Sequence, residues 1–284
     1  MSNIALVTDS TTYMPLELVR KYNISVAPQV LIWGDQTYKD GVDMESREFF
    51  TRLKTAKVMP TTSQVAVISF QEIFQELVQK GQDVIALLVS SKLSGTTQSA
   101  MQARDLMGTA REKIHVVDSQ SVAMALGFQV LAVARAIENG ASLQDAIALA
   151  ETSYENTGVV FAVDTLEFLH RGGRIGGAQR FLGTMLNMKP ILAIQDGRVE
   201  GVDRIRTKSK AHDRVLELVT EKIAGRTPVR LATLHANAAD DARALLARAE
   251  QALSPVESVF TEVSPTVGTH AGPGTVGLAF MAGL

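Results

Sequence analysis

Val84-Ile85-Ala86-Leu87-Leu88-Val89-Ser90-Ser91-Lys92-Leu93-Ser94-Gly95-Thr96-Thr97-Gln98-Ser99 is the stretch from which the architecture is read. Its first six residues are apolar without alternation, the mark of a strand covered on both faces. A hydroxyl-rich turn follows, and then a helical pattern from Ser99 to Met107. A strand buried on both faces implies a parallel sheet with helices on either side.

The same alternation extends outward. Ile4 to Val7 is a second buried-type strand, running into Thr8-Asp9-Ser10-Thr11-Thr12. Val65 to Lys80 has helical spacing, with Ile68, Ile73, Phe74, Leu77 and Val78 on one side and Gly81 as its stop. Ser46 is placed to cap a helix through Phe49, Phe50 and Leu53. Lys113 to Val117 reads as a strand, and helices follow at 121–138 and 142–153. The second half repeats the pattern: a strand at 159–163, a short helix at 166–170, a hairpin around Asp196-Gly197, helices at 211–223 and 238–253, and strands at 229–235 and 259–263. The end of the chain is Gly-rich. The expected fold is α/β: two α/β domains, residues 1–155 and 156–284, with mostly parallel sheets flanked by helices.

Composition narrows the function. The 284 residues are 46% hydrophobic and 20% charged, enough to bury a large core. A net charge of −2 disfavours nucleic acid or an anionic membrane as partner. There is no cysteine, which excludes disulfides, thiolate nucleophiles and iron–sulfur clusters. No histidine pair has metal-ligand spacing, so no metal is expected. The start, MSNIALVTDS, lacks a leader pattern, and no apolar run approaches the ~18 residues of a membrane helix. A cytoplasmic protein without an integral membrane segment is expected.

Two hydroxyl-rich segments carry the candidate chemistry. Met59-Pro60-Thr61-Thr62-Ser63-Gln64 precedes the Val65 helix, and Leu93 to Ser99 follows the Val84 strand. Both are expected at helix N-termini, where free N–H groups and the dipole favour an anion without a Lys or Arg. The second also lies beyond the carboxyl end of a buried strand, the usual ligand position in such sheets. The competing reading is that these hydroxyls only cap their helices. A third segment, Val267-Gly268-Thr269-His270-Ala271-Gly272-Pro273-Gly274-Thr275, puts His270 in a Gly-dense loop. A fourth, Arg171-Gly172-Gly173-Arg174-Ile175-Gly176-Gly177, is phosphate-loop-like in composition only and matches no nucleotide motif. The run Arg204 to Lys210 is strongly basic.

Taken in order, TDST, MPTTSQ, SSKLSGTTQSA, VVDSQS, TLEFLHRGGRI, LNMKPIL before a DGRV hairpin, and THAGPG span the chain. In this series the sequence resembles the DegV family. The resemblance implies two α/β domains and one buried long-chain fatty acid such as palmitate, with its carboxylate held by Thr62 and Ser94. Their neighbours Ser63, Gly95 and Thr96 join the ligand-binding candidates, and His270 and Arg171, each in a Gly-flanked loop near the expected inter-domain cleft, are assigned to the rim of the same site. The resemblance also implies a protein that is not itself an enzyme but presents the carboxylate to an ATP-dependent fatty acid kinase subunit for acyl-phosphate formation. Arg204 and Arg206 are the candidate partner-binding residues, since rim charges steer association. Two departures bear on acyl preference: Val65 where the family often has Pro after TTSQ, and Ala123-Met124-Ala125-Leu126-Gly127 where it carries a Ser-x-Gly-x-Gly pattern. The alternatives are a lipid hydrolase using Ser94 and His270, which lacks the GxSxG elbow, and a lipid-sensing protein without a kinase partner.

Overall fold

The computed structural model describes residues 3–183 and 188–284. Leu186 and Asn187 of the LNMKPIL motif lie outside the described residues.

The first half comprises β1 (Ile4–Asp9), α1 (Leu16–Lys21), β2 (Ser25–Ala27), β3 (Val30–Trp33), β4 (Gln36–Lys39), α2 (Ser46–Leu53), β5 (Thr61–Ser63), α3 (Val67–Gln79), β6 (Asp83–Leu88), α4 (Thr96–Asp105), β7 (Ile114–Asp118), α5 (Ala123–Glu138) and α6 (Leu143–Thr152). Strands β2-β1-β6-β7 form one parallel sheet. The two faces of its core strand alternate as a doubly covered strand must. Val84, Ala86 and Leu88 pack with Phe70, Phe74 and Leu77 of α3. Ile85, Leu87 and Val89 pack on the opposite side with Met124, Leu126 and Phe128 of α5.

The second half comprises β8 (Thr157–Ala162), α7 (Glu167–Arg171), β9 (Lys189–Gln195), β10 (Arg198–Ile205), α8 (Lys208–Ile223), β11 (Val229–His235), α9 (Ala239–Leu253), β12 (Glu257–Val259), α10 (Pro265–Ala271) and β13 (Val276–Ala282). Its sheet runs β10-β9-β8-β13-β11-β12. Here α5 recurs, packed on β8, β13 and β11, while α8 and α9 cover the other face. Val159 and Phe161 face the α5 side, and Val160 and Ala162 the α8 side. Helix α5 is thus the middle layer of an α-β-α-β-α stack. It is buried on almost every side, as a helix apolar all round must be.

Several expectations need correction. The parallel arrangement holds for the first sheet, but the second pairs antiparallel in four of its five ladders. An antiparallel sheet covered on both faces also reads without alternation, so the apolar runs did not distinguish the two. The Gly-rich end is not a loop. Pro265 opens α10 under a Ser264 cap, and the seven buried residues of β13 form an interior strand of the sheet. Thr61 to Ser63 form a strand, not a helix start, because the edge of β3 is open there and Leu31 pairs with Thr62. Ser46 lies inside α2, and its hydroxyl donates to the Val263 carbonyl rather than capping. The hairpin around Asp196-Gly197 is as expected: φ of 46° and 76° at its two residues make the tight turn that matches strand twist.

A small third sheet, β4-β3-β5, lies under α2 and α10. Trp33, Phe49 and Phe50 pack in series there, tilted and then edge to face, with ring centroids 5.4 and 5.0 Å apart. This packing carries α10, from the end of the chain, onto β5.

Candidate functional site

Thr62 sits in the middle of β5, and His270 in the last turn of α10. Docking of α10 on β5 leaves Thr62 Oγ1 and His270 Nε2 2.7 Å apart. The ring is held from behind by Gly172, where a Cβ would stand 2.1 Å from Nδ1, so only glycine fits. His270 Nδ1 is buried and has no hydrogen-bond partner among the described residues. Burial, aided by the Arg174 charge, holds the imidazole at about 4, so the ring is neutral at neutral pH.

Ser94 arrives from the other side. Gly95 precedes the first turn of α4, and Ser94 lies just before it. Ser94 Oγ is 2.9 Å from Thr96 Oγ1, and Thr96 Oγ1 donates to Gln29 Oε1 at 3.0 Å. One hydroxyl carries one proton, so with the Thr96 proton committed to Gln29, that of Ser94 points to Thr96 until an anion takes it. Gln29 Nε2 in turn donates to Asp9, a fully buried carboxyl raised above its ordinary pKa by burial and also bonded by Val89 N.

Between these groups lies a cavity. Thr62, Ser63, Ser94, His270 and Arg174 line its polar end, and Val122, Val159, Phe161, Leu169, Ile194, Val199 and Leu234 give it apolar walls. The two halves of the chain are tied around it. Ser90 Oγ donates to Gly197 O at 2.6 Å, Lys92 Nζ to Asp196 O at 2.6 Å, and Arg174 Nε to Leu93 O at 3.0 Å.

Of the sequence candidates, Thr62, Ser63, Ser94 and His270 share the cavity wall. Thr96 and Gly95 stand behind it; Thr96 positions Ser94, and Gly95 lies under the Gln64 side chain. Arg171 lies outside the cavity. It is exposed, pairs with Glu167, and borders an adjoining recess with Thr62 and His270. Arg204 and Arg206 are exposed and away from the cavity; the Arg204 guanidinium lies 5.2 Å from the Phe181 ring centroid. Lys208 pairs with Asp241.

The residue that motif reading missed is Arg174. It lines both the cavity and the adjoining recess, with Nη1 donating to Gly172 O at 2.8 Å. The site is therefore not built from neutral donors alone, as expected from the hydroxyl segments. Its signal was the second arginine of Arg171-Gly172-Gly173-Arg174. Gly173, at φ 70°, turns the chain back so that this arginine, not the first, reaches the cavity. The apolar face of α3 packs beneath the parallel sheet and does not line the cavity, and α5 contributes little more than its first turn. Among the described residues no cluster of three metal-ligating side chains occurs, and no helix is long and apolar enough to cross a membrane.

This architecture recurs in known proteins. A solved structure concerning fatty acid binding of a DegV family protein from Thermus thermophilus is 36% identical, covering 98% of this chain and 99% of that one, with a TM-score of 0.90. The structure of Bacillus subtilis DegV, described as a fatty acid binding protein, is 32% identical over 99% of this chain and 100% of its own, with a TM-score of 0.89. A DegV domain-containing protein of Streptomyces coelicolor is 36% identical, with 97% of each chain covered. A family model described as "Uncharacterised protein, DegV family" matches residues 3–283. On the match to nearly its whole length, and on the fold shared with these relatives, the chain belongs to the DegV family.

Proposed function

We propose that this chain binds one long-chain fatty acid, with the carboxylate at Thr62, Ser94 and His270 beside Arg174 and the tail along the apolar walls. The observation that carries the reading is a cavity with apolar walls and one polar end, where two hydroxyls, a neutral imidazole and one guanidinium converge. The two relatives described as fatty acid binding, at 36% and 32% identity, support the same ligand class. Each buried methylene contributes roughly 0.8 kcal/mol, so a tail of about 14 contributes on the order of 11 kcal/mol before binding costs. The tail supplies the affinity, and the polar end fixes orientation.

The carboxylate is presented to a separate ATP-dependent kinase in the cytoplasm. A carboxylate oxygen attacks the γ-phosphorus, ADP leaves, and an acyl phosphate forms. Hydroxyl donors can follow the charge as it moves onto the phosphoryl group, whereas the cation Arg174 neutralises the bound acid. Binding is favoured over the hydrolase alternative because, among the described residues, His270 Nε2 bonds Thr62 and Ser94 bonds Thr96, not each other.

Mass spectrometry of lipid released on denaturation is the test. Stoichiometric long-chain fatty acid in the released fraction is expected. An empty protein that also fails to take up added palmitate overturns the reading. Acyl-phosphate formation with a kinase added, and none without it, separates presentation from lipid sensing alone.

A further inference from the structure

We propose that Tyr13 sets the length of acyl chain the cavity admits, an inference that rests on the fatty-acid reading of that cavity. Tyr13 follows the tight turn Ser10–Thr12 at the end of β1 and adopts φ 35°, ψ 38°. A left-handed backbone is unfavourable for a bulky side chain, so the fold holds the ring there against its local preference. Tyr13 lines the acyl cavity. It also lines a second groove, where Met14, Leu16, Val19 and Val26 stand beside Ser10 and Asp40. Tyr13 is the residue common to both.

The groove opens to solvent, since Leu16 on its rim is 65% exposed. The Tyr13 hydroxyl is buried and has no hydrogen-bond partner among the described residues. No polar tether therefore accounts for the ring's position, and what it supplies is bulk. The ring is a partition: a tail that ends before it is enclosed, and a longer one collides with it. Removing the ring joins the cavity to a groove whose apolar side chains extend the path.

The test compares saturated acids from myristate to behenate as competitors of a bound fluorescent fatty acid, in the whole protein. Tyr13→Gly removes the ring and suits the left-handed backbone. It should raise the affinity for stearate relative to palmitate by about fifteenfold, the worth of two further buried methylenes at roughly 0.8 kcal/mol each. Tyr13→Trp should move the preference toward myristate, and Tyr13→Phe should keep the wild-type profile. A wild-type profile in the Gly variant overturns the proposal. So does a Phe variant that shifts as far as Gly, because the hydroxyl rather than the ring would then decide. Should the Gly variant not fold, an unchanged profile in Trp overturns it equally. Failure of the wild type to bind any of these acids would instead overturn the fatty-acid reading itself.

Discussion

Thr62 Oγ1 and His270 Nε2 stand 2.7 Å apart although 208 positions separate them, one on an edge strand near the start and one on a short helix near the end. The pair exists because α10 packs on β5 and because Gly172 leaves room for the ring. The two side chains are therefore expected to act together. Thr62→Val removes one hydroxyl donor to a charged group, worth about 1.5–3 kcal/mol. Kinase-dependent acyl-phosphate formation should fall at least tenfold, with a smaller loss of fatty-acid affinity because the tail still binds. His270→Gln, which keeps a donor, should retain more activity than His270→Ala. Equal rates in all three variants and the wild type would remove both residues from the site.

The buried imidazole has a pH signature. Unfolded His270 takes up its proton near its ordinary value of 6.5, whereas the folded ring resists protonation down to about 4. Below pH 6.5 the unfolded state binds more protons, so this group's contribution is intact above 6.5 and lost as pH falls toward 4. His235, likewise lowered to about 4 by burial, adds in the same direction. In urea denaturation, the stability difference between wild type and His270→Gln should shrink steadily from pH 7 to pH 4. A difference that stays constant over that range would show that the ring is not held neutral by the fold.

Arg174 is the cation at the polar end of the cavity. Arg174→Met keeps much of the stem and removes the charge. Affinity for a fatty acid should drop about tenfold, while affinity for the alcohol of the same chain length should change little, as expected for the loss of one charged hydrogen bond. Parallel losses for acid and alcohol, read by competition binding, would place the arginine in the scaffold rather than at the carboxylate.

Phe128 is fully buried in α5, the layer shared by both sheets. Phe128→Ala should cost about 3–5 kcal/mol of unfolding free energy. Because α5 packs on both sheets, the loss should appear in a single cooperative transition. Calorimetry with two separated transitions, only one of them shifted, would show that the halves unfold independently.

Arg204 and Arg206 are exposed outside the cavity. Charge reversal of both to Glu should slow acyl-phosphate formation most at low ionic strength, since rim charges act chiefly on association rate. Fatty-acid binding should be unchanged. Normal turnover of the double variant at low salt would make the patch a solvated face.

Short-range signals carried much of this protein. The alternation of apolar runs with helical spacing decided the α/β class, the Asp196-Gly197 turn decided a hairpin, and Val229 to His235 was legible to the residue as a strand. Hydroxyl density around Thr62 and Ser94 marked two segments that meet on one cavity. Strand direction in the second sheet was decided only by tertiary structure, because helices on both faces erase the alternation that would mark antiparallel pairing. So was the choice between Arg171 and Arg174, which are alike in charge and surroundings along the chain. Local sequence sets backbone preference over a few residues. Which of two neighbouring arginines faces a cavity depends on a turn at Gly173 and on the packing of α10, brought there by contacts from the other end of the chain.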